Sequence, residues 1–257
     1  MLLAIDCGNT NTVFALMEGT TVLRQWRMAT EHHKTTDDYA LFLDHHLTKA
    51  GYEAGTVTDI VISTVVPACL RAFQGLGAYY NAPLFVIDAA NPDHGVSVKI
   101  PEAKQAGADR IANTKGAEEY QCPAMVIDFG TATTFDLIDA EGAYIGGAIA
   151  PGVNLSINAL HQAAARLPLI DTNAWSEKTP VLGASTVDAM NSGLYYGYVS
   201  LVEGMITRLK SAYGADMTVI ATGGLAKLFS TIIDGVDHHD PDLTLKGMAM
   251  IYASTRQ

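Results

Sequence analysis

Cysteine is scarce in this chain. Cys7, Cys69 and Cys122 are the only three in 257 residues. They are odd in number, widely spaced and set in apolar surroundings. That argues against a disulfide framework or a zinc site and for buried free thiols in a reducing compartment. Positive charge is also short: 16 Lys and Arg stand against 27 Asp and Glu, for a net charge of −11. With no basic stripe, the chain has no electrostatic footprint for nucleic acid and no attraction to anionic lipid. No apolar run is long enough to span a bilayer, and the N-terminus enters a strand with no basic or cleavable apolar segment. A cytoplasmic protein is expected, with neither nucleic acid nor membrane as partner. A G-x-x-x-x-G-K-[ST] run is missing, which excludes a P-loop kinase. No G-x-G-x-x-G run follows a strand, which weighs against a dinucleotide-binding fold.

What is present is hydrophobic residues, 49% of the chain, enough for a core in each of two small domains. Leu2 to Ile5 read as a buried strand that meets Asp6, Cys7 and Gly8, then the polar residues Asn9, Thr10, Asn11 and Thr12. A second apolar run, Val13 to Met17, returns at once, which predicts a hairpin. Gly8 lets the backbone bend and a large anion come close. Backbone N–H groups and the Thr10 and Thr12 hydroxyls can cradle phosphate oxygens, and Asp6 can hold a hydrated Mg²⁺ against them. An ordinary hairpin with an Asx-type turn accounts for the same residues.

The stretch Val126 to Asp139 has the same shape. Aligned at the acid, Asp6 matches Asp128, Gly8 matches Gly130 and Thr12 matches Thr134. A turn repeated near the start of each half predicts two similar domains, 1–120 and 121–257, facing each other across one polyphosphate. The first half reads as three strands, a helix capped by Thr35 or Thr36, a strand at 59–65, a helix opened by Pro67, a short strand at 84–87 and a helix after Gly107. The second half repeats the hairpin. A glycine-rich stretch at 143–152 that suggests close backbone approach, a helix at 154–166, a long helix from Thr186 capped by Ser185 or Thr186, a strand at 217–221 and a last helix at 245–254 follow.

Gly107-Ala108-Asp109-Arg110 opens a helix. The helix field and nearby N–H groups favour an ionised Asp109, which can accept a hydroxyl proton in phosphoryl transfer. Arg110 offers a planar fork for a carboxylate or phosphate. An N-capping Asp beside a surface Arg fits the pattern equally well. Thr222-Gly223-Gly224 is a second glycine turn against which a nucleotide can pack. His238-His239-Asp240 reads as a polar loop, not a metal cluster.

Taken together, Asp6 to Val13, Ser63 to Pro67, Gly107 to Arg110, Asp128 to Thr133, Gly146 to Gly152, Leu167-Pro168 and Pro241 to Gly247 resemble the type III pantothenate kinases, in order and over essentially the whole chain. That family belongs to the acetate and sugar kinase, heat-shock ATPase and actin superfamily. The resemblance implies an α/β fold of two ribonuclease-H-like domains, duplicated βββαβαβα-type units, with the active site in the cleft between them. It implies transfer of phosphate from ATP to pantothenate, towards coenzyme A. By resemblance, Asp6 to Val13 and Thr131 contact ATP, Asp109 is the general base, and Gly107 to Arg110 bind pantothenate. Thr186 reaches the substrate across a homodimer interface, Asp6 serves Mg²⁺, and Asp128 holds a monovalent cation, K⁺ or NH4⁺. Ile100 stands where the family usually has a substrate-binding Tyr, and is expected to pack against the substrate's gem-dimethyl group. Two alternatives stay open: an accessory regulatory role, and a kinase of the same superfamily with another hydroxyl substrate.

Overall fold

In the computed structural model, which describes residues 1–256, the first half of the chain forms β1 (Leu2–Cys7), β2 (Asn11–Glu18), β3 (Thr21–Ala29), α1 (Thr36–Lys49), β4 (Asp59–Thr64), α2 (Pro67–Tyr80), β5 (Leu84–Val86) and α3 (Ala108–Gly116). The second half forms β6 (Ala124–Phe129), β7 (Ala132–Ile138), β8 (Tyr144–Pro151), α4 (Val153–Ala163), α5 (Thr186–Tyr213), β9 (Thr218–Thr222), α6 (Ala226–Phe229), β10 (His238–His239) and α7 (Leu243–Ser254). Local chemistry explains the helix starts. Thr35 with Asp38 and Ser185 with Asp188 each close a reciprocal capping box on α1 and α5. Pro67 takes the first turn of α2, where its missing N–H costs nothing.

The chain divides into two units. One holds Met1–Glu119, Gly142–Ile145 and the segment from Asp242 onward; the other holds Tyr120–Glu141 and Gly146–Pro241. The first unit has a five-stranded sheet in the order β3-β2-β1-β4-β5. β1 runs antiparallel to β2 and parallel to β4. Side chains alternate across the pleat. Leu3, Ile5 and Cys7 face a core built with Phe14, Tyr39, Leu43 and Phe73. Ala4 faces the other way, against Ile111, Ala112, Met248 and Ile251 of α3 and α7. Asp6 is in phase with Ala4 and shares that second face.

The second unit repeats the plan. Its sheet order is β10-β9-β6-β7-β8, with β6 antiparallel to β7 and parallel to β9. Read from the other edge, this is the first sheet again. Asp6 pairs with Val13 and Ser63, and Asp128 with Thr134 and Thr222. Phe129 stacks on Phe229 at 5.6 Å, and Tyr195, Tyr198 and Trp175 complete that core. The duplicated α/β architecture is therefore the one the repeated motif predicts.

Two details differ from the sequence reading. His238 and His239 form a short strand parallel to β9, where a loop was expected. The last helix, expected with residues 121–257, packs in the first unit instead. A Cβ on Gly247 would overlap the Ala112 carbonyl, so α7 meets α3 backbone to backbone. Thr244 donates to Asn113 Oδ1 at 2.7 Å, and Lys246 pairs with Glu119 at 3.4 Å. Its buried Leu245, Met248 and Ile251 cover a sheet face that would otherwise be wet.

Candidate active site

In the first unit, one end of the sheet gathers three pieces of the predicted site. The β1–β2 turn closes with Gly8 N donating to Asn11 O at 3.0 Å, and its tip residues Asn9, Thr10 and Asn11 are exposed. β4 ends beside it, with Val65 N donating to the Cys7 carbonyl at 3.1 Å. A Cβ built on Gly107 would lie 3.7 Å from Val65 Cγ1, which places the start of α3 against that same strand end. Asp6 and Asp109 are thus held at the carboxyl ends of β1 and β4, on the sheet face that α3 covers, the usual location of ligands in open α/β sheets.

Asp109 is half-buried in the first turn of α3. Its Oδ1 accepts from the Arg110 backbone N–H at 2.9 Å. Desolvation pushes its pKa above the ordinary 3.8, against the opposing pull of that N–H and of the Arg110 guanidinium. A base with a raised pKa is a stronger proton acceptor. Arg110 Nη1 lies 3.3 Å from the Tyr144 hydroxyl, and Tyr144 is fixed by backbone bonds to Ser97 and Lys99. Ala108 is buried, and Ile100 packs half-buried against the core beneath α3 and α7.

Not every residue of the first turn presents its side chain. Thr12 was expected to offer its hydroxyl to phosphate. It is fully buried, in phase with Phe14, and its Oγ1 contacts Thr30 Oγ1 at 3.0 Å and Cys7 Sγ at 3.4 Å. Cys7 and Val13 likewise pack into the two cores. These three can serve a ligand only through backbone. Sequence reasoning passed over Tyr144 and Thr30, whose roles depend on strand pairings remote in sequence.

In the second unit, Asp128 sits under the Thr222-Gly223-Gly224 turn. Gly223 has φ +92, and a Cβ there would overlap Asp128 Oδ1. Gly152 N, at the start of α4, donates to Thr131 O at 3.2 Å, and Gly130 and Thr131 form the exposed tip of the β6–β7 turn. Burial and the Asp128 charge together push the Tyr198 phenol up, and that hydroxyl pairs with Thr133. Thr186 is the exposed first residue of α5.

These surroundings bear on the two cations. Ser63 Oγ, paired in register with Asp6, is fully buried and has no hydrogen-bond partner, so a hydroxyl stands beside the carboxylate that would hold a hydrated Mg²⁺, an ion that keeps most of its waters. The cradle of Gly223 and Gly130 around Asp128 supplies hard oxygen chemistry with one carboxylate, which suits a monovalent cation. Among the described residues no group of three or more His, Cys, Asp or Glu forms a metal cluster.

This duplicated sheet with an acid at each central strand end is the fold of the actin-like ATPases and sugar kinases. The ethanolamine utilization protein EutJ from Carboxydothermus hydrogenoformans has a TM-score of 0.59 at 14% identity, covering 97% of this chain and 89% of that one. The activator of the 2-hydroxyisocaproyl-CoA dehydratase from Clostridium difficile, solved with bound ADPNP, gives 0.57 at 12% identity over 99% and 94%. A family model described as type III pantothenate kinase matches residues 2–208. The type III pantothenate kinase of Caulobacter vibrioides is 46% identical over 254 residues, 98% of this chain and 97% of that protein. That of Rhodospirillum rubrum is 45% identical, covering 98% of each. The chain belongs to the type III pantothenate kinase family, and is by that membership a kinase.

Proposed function

We propose that this chain transfers the γ-phosphoryl group of ATP to the primary hydroxyl of pantothenate, giving 4′-phosphopantothenate and ADP on the way to coenzyme A. The observation that carries the reading is the placement of the Asp6 turn and Asp109 at one end of one sheet face. The turn from Asp6 to Val13 receives the phosphates through its backbone and the Thr10 hydroxyl. Thr131, at the tip of the second turn, is a further nucleotide contact. As the substrate oxygen bonds to the γ-phosphorus and the bond to the β-phosphate oxygen breaks, the hydroxyl proton passes to Asp109. Arg110, braced by Tyr144, holds the substrate with Gly107, Ala108 and Ile100. Mg²⁺ held at Asp6 would spread the phosphate charge. K⁺ or NH4⁺ held at Asp128 would stiffen the second turn.

The working form is a homodimer in which Thr186 of one copy serves the other's substrate. Exposed Ile149, Leu155, Leu169, Val181, Leu182 and Val187, all in the second unit, support a covered surface there. The free thiols fit the cytoplasm. No described helix is long and apolar enough to cross a membrane.

The test is ADP release with ATP, Mg²⁺ and pantothenate, run in K⁺ and in Na⁺, with sedimentation at the assay concentration. Pantothenate-dependent ADP that needs K⁺, from a dimer, is expected. ADP release indifferent to pantothenate would overturn the substrate, and a monomer of full activity would overturn the shared site.

A further inference from the structure

Thr30 lies one residue beyond β3, twenty positions from the phosphate turn, and has no place in the turn motif. Yet it holds that turn from behind. Its backbone N–H donates to the Thr10 carbonyl at 3.0 Å. Its hydroxyl donates to the Gly8 carbonyl at 2.7 Å. A threonine hydroxyl has one proton, so with the Thr30 proton on Gly8 O, the Thr12–Thr30 pair at 3.0 Å takes its proton from Thr12, and the 3.4 Å contact between Thr12 Oγ1 and Cys7 Sγ takes its proton from the thiol. Thr12 is itself fully buried.

The consequence lies in the direction of the carbonyls. Three carbonyls of the stretch between β1 and β2, those of Gly8, Thr10 and Asn11, are held by donors within the protein. Gly8 O and Thr10 O are engaged by Thr30, and Asn11 O by Gly8 N. Held in this way, these three oxygens keep their negative dipoles off a bound polyphosphate, which favours contact through N–H and hydroxyl groups, as an anion-binding backbone concavity requires. A carbonyl released from its donor can swing outward and present a negative dipole to the phosphate.

We infer that Thr30 is a positioning residue for ATP, fixing the phosphate turn of β1–β2 by holding the Gly8 and Thr10 carbonyls inward through its hydroxyl and N–H. This rests on the reading of that turn as the ATP phosphate site. Thr30→Val keeps the shape and the backbone bond but removes the hydroxyl. The KM for ATP should rise about tenfold, the cost of losing the hydrogen bond that holds the Gly8 carbonyl inward. The KM for pantothenate should stay within about twofold. Thr30→Ser, which restores the hydroxyl, should return the ATP KM to near wild type; Thr30→Ala serves if the valine variant fails to fold.

Asp6→Asn is measured alongside, with ATP binding followed by calorimetry. If Asp6→Asn weakens ATP and Thr30→Val does not, the role of Thr30 is wrong and the phosphate reading stands. If neither variant weakens ATP, the turn is not the ATP site and the inference falls with it. If Thr30→Val raises both KM values alike and Thr30→Ser does not rescue, Thr30 is only a structural brace.

Discussion

Gly107→Ala separates stability from catalysis with a single methyl group. Gly107 has φ −63 and ψ 151, which alanine adopts without strain. Backbone conformation therefore gives no penalty, and a less flexible unfolded chain favours the variant by about 0.4–1 kcal/mol. In a chain of this size that is an increase in Tm of roughly 1–4 °C. The new Cβ, however, would overlap Asp109 Oδ1. Restoring an ordinary carbon–oxygen contact of about 3.3 Å moves the carboxyl by on the order of 1 Å. The carboxyl ends a rotatable side chain, so it can retreat at little cost to folding. A displacement of this size at a reacting group reduces turnover by about a hundredfold. Steady-state ADP release gives kcat, and a thermal melt of the same preparation gives Tm. A variant with undiminished kcat would show that Asp109 need not sit where it does. A fall of many degrees in Tm would show that the α3 start cannot absorb a methyl group.

The raised pKa of Asp109 sets two pH dependences of opposite benefit. Its base form is lost as pH falls through the raised value, so the acid limb of kcat/KM should lie above the ordinary 3.8. For folding, a carboxyl with a raised native pKa contributes stability that is fully present below 3.8 and lost as pH rises through the native value. Asp109→Asn should therefore lose about a hundredfold or more in kcat yet melt no lower than wild type at neutral pH, as melting curves taken across that window will show. Gly223→Ala places a Cβ at φ +92 against Asp128 and the Phe129 N–H, and should cost roughly 1–3 kcal/mol in urea unfolding and abolish any advantage of K⁺ over Na⁺ in the assay.

What the sequence disclosed, and what it hid, follow from the range of the interactions. The two hairpins were legible because each is local: a strand, a glycine and a returning strand within sixteen residues. Asp109 was legible because its surroundings come from its own helix start. The burial of Thr12 had a signal that the motif masked, since it falls in phase with Phe14 and Leu16, both buried. Thr30 had none. The Asn11–Ala29 register of β2 and β3 brings it to the turn, and pairing of that kind is not written in any short window. The destination of α7 was hidden for a similar reason. Its apolar residues announce a buried helix, while the partner, α3, is more than a hundred residues away.

That destination makes the architecture nested and not serial. Backbone from both sides of the second unit is needed to finish the first, and Tyr252 and Arg256 both fasten to Asp59 at the head of β4, where the Met1 amino group binds Thr58. A fragment ending at Glu119 would carry the phosphate turn and the base but leave the Ala4, Ile111 and Ala112 face bare. The halves share a plan, but the piece holding the chemistry cannot be excised by a single cut.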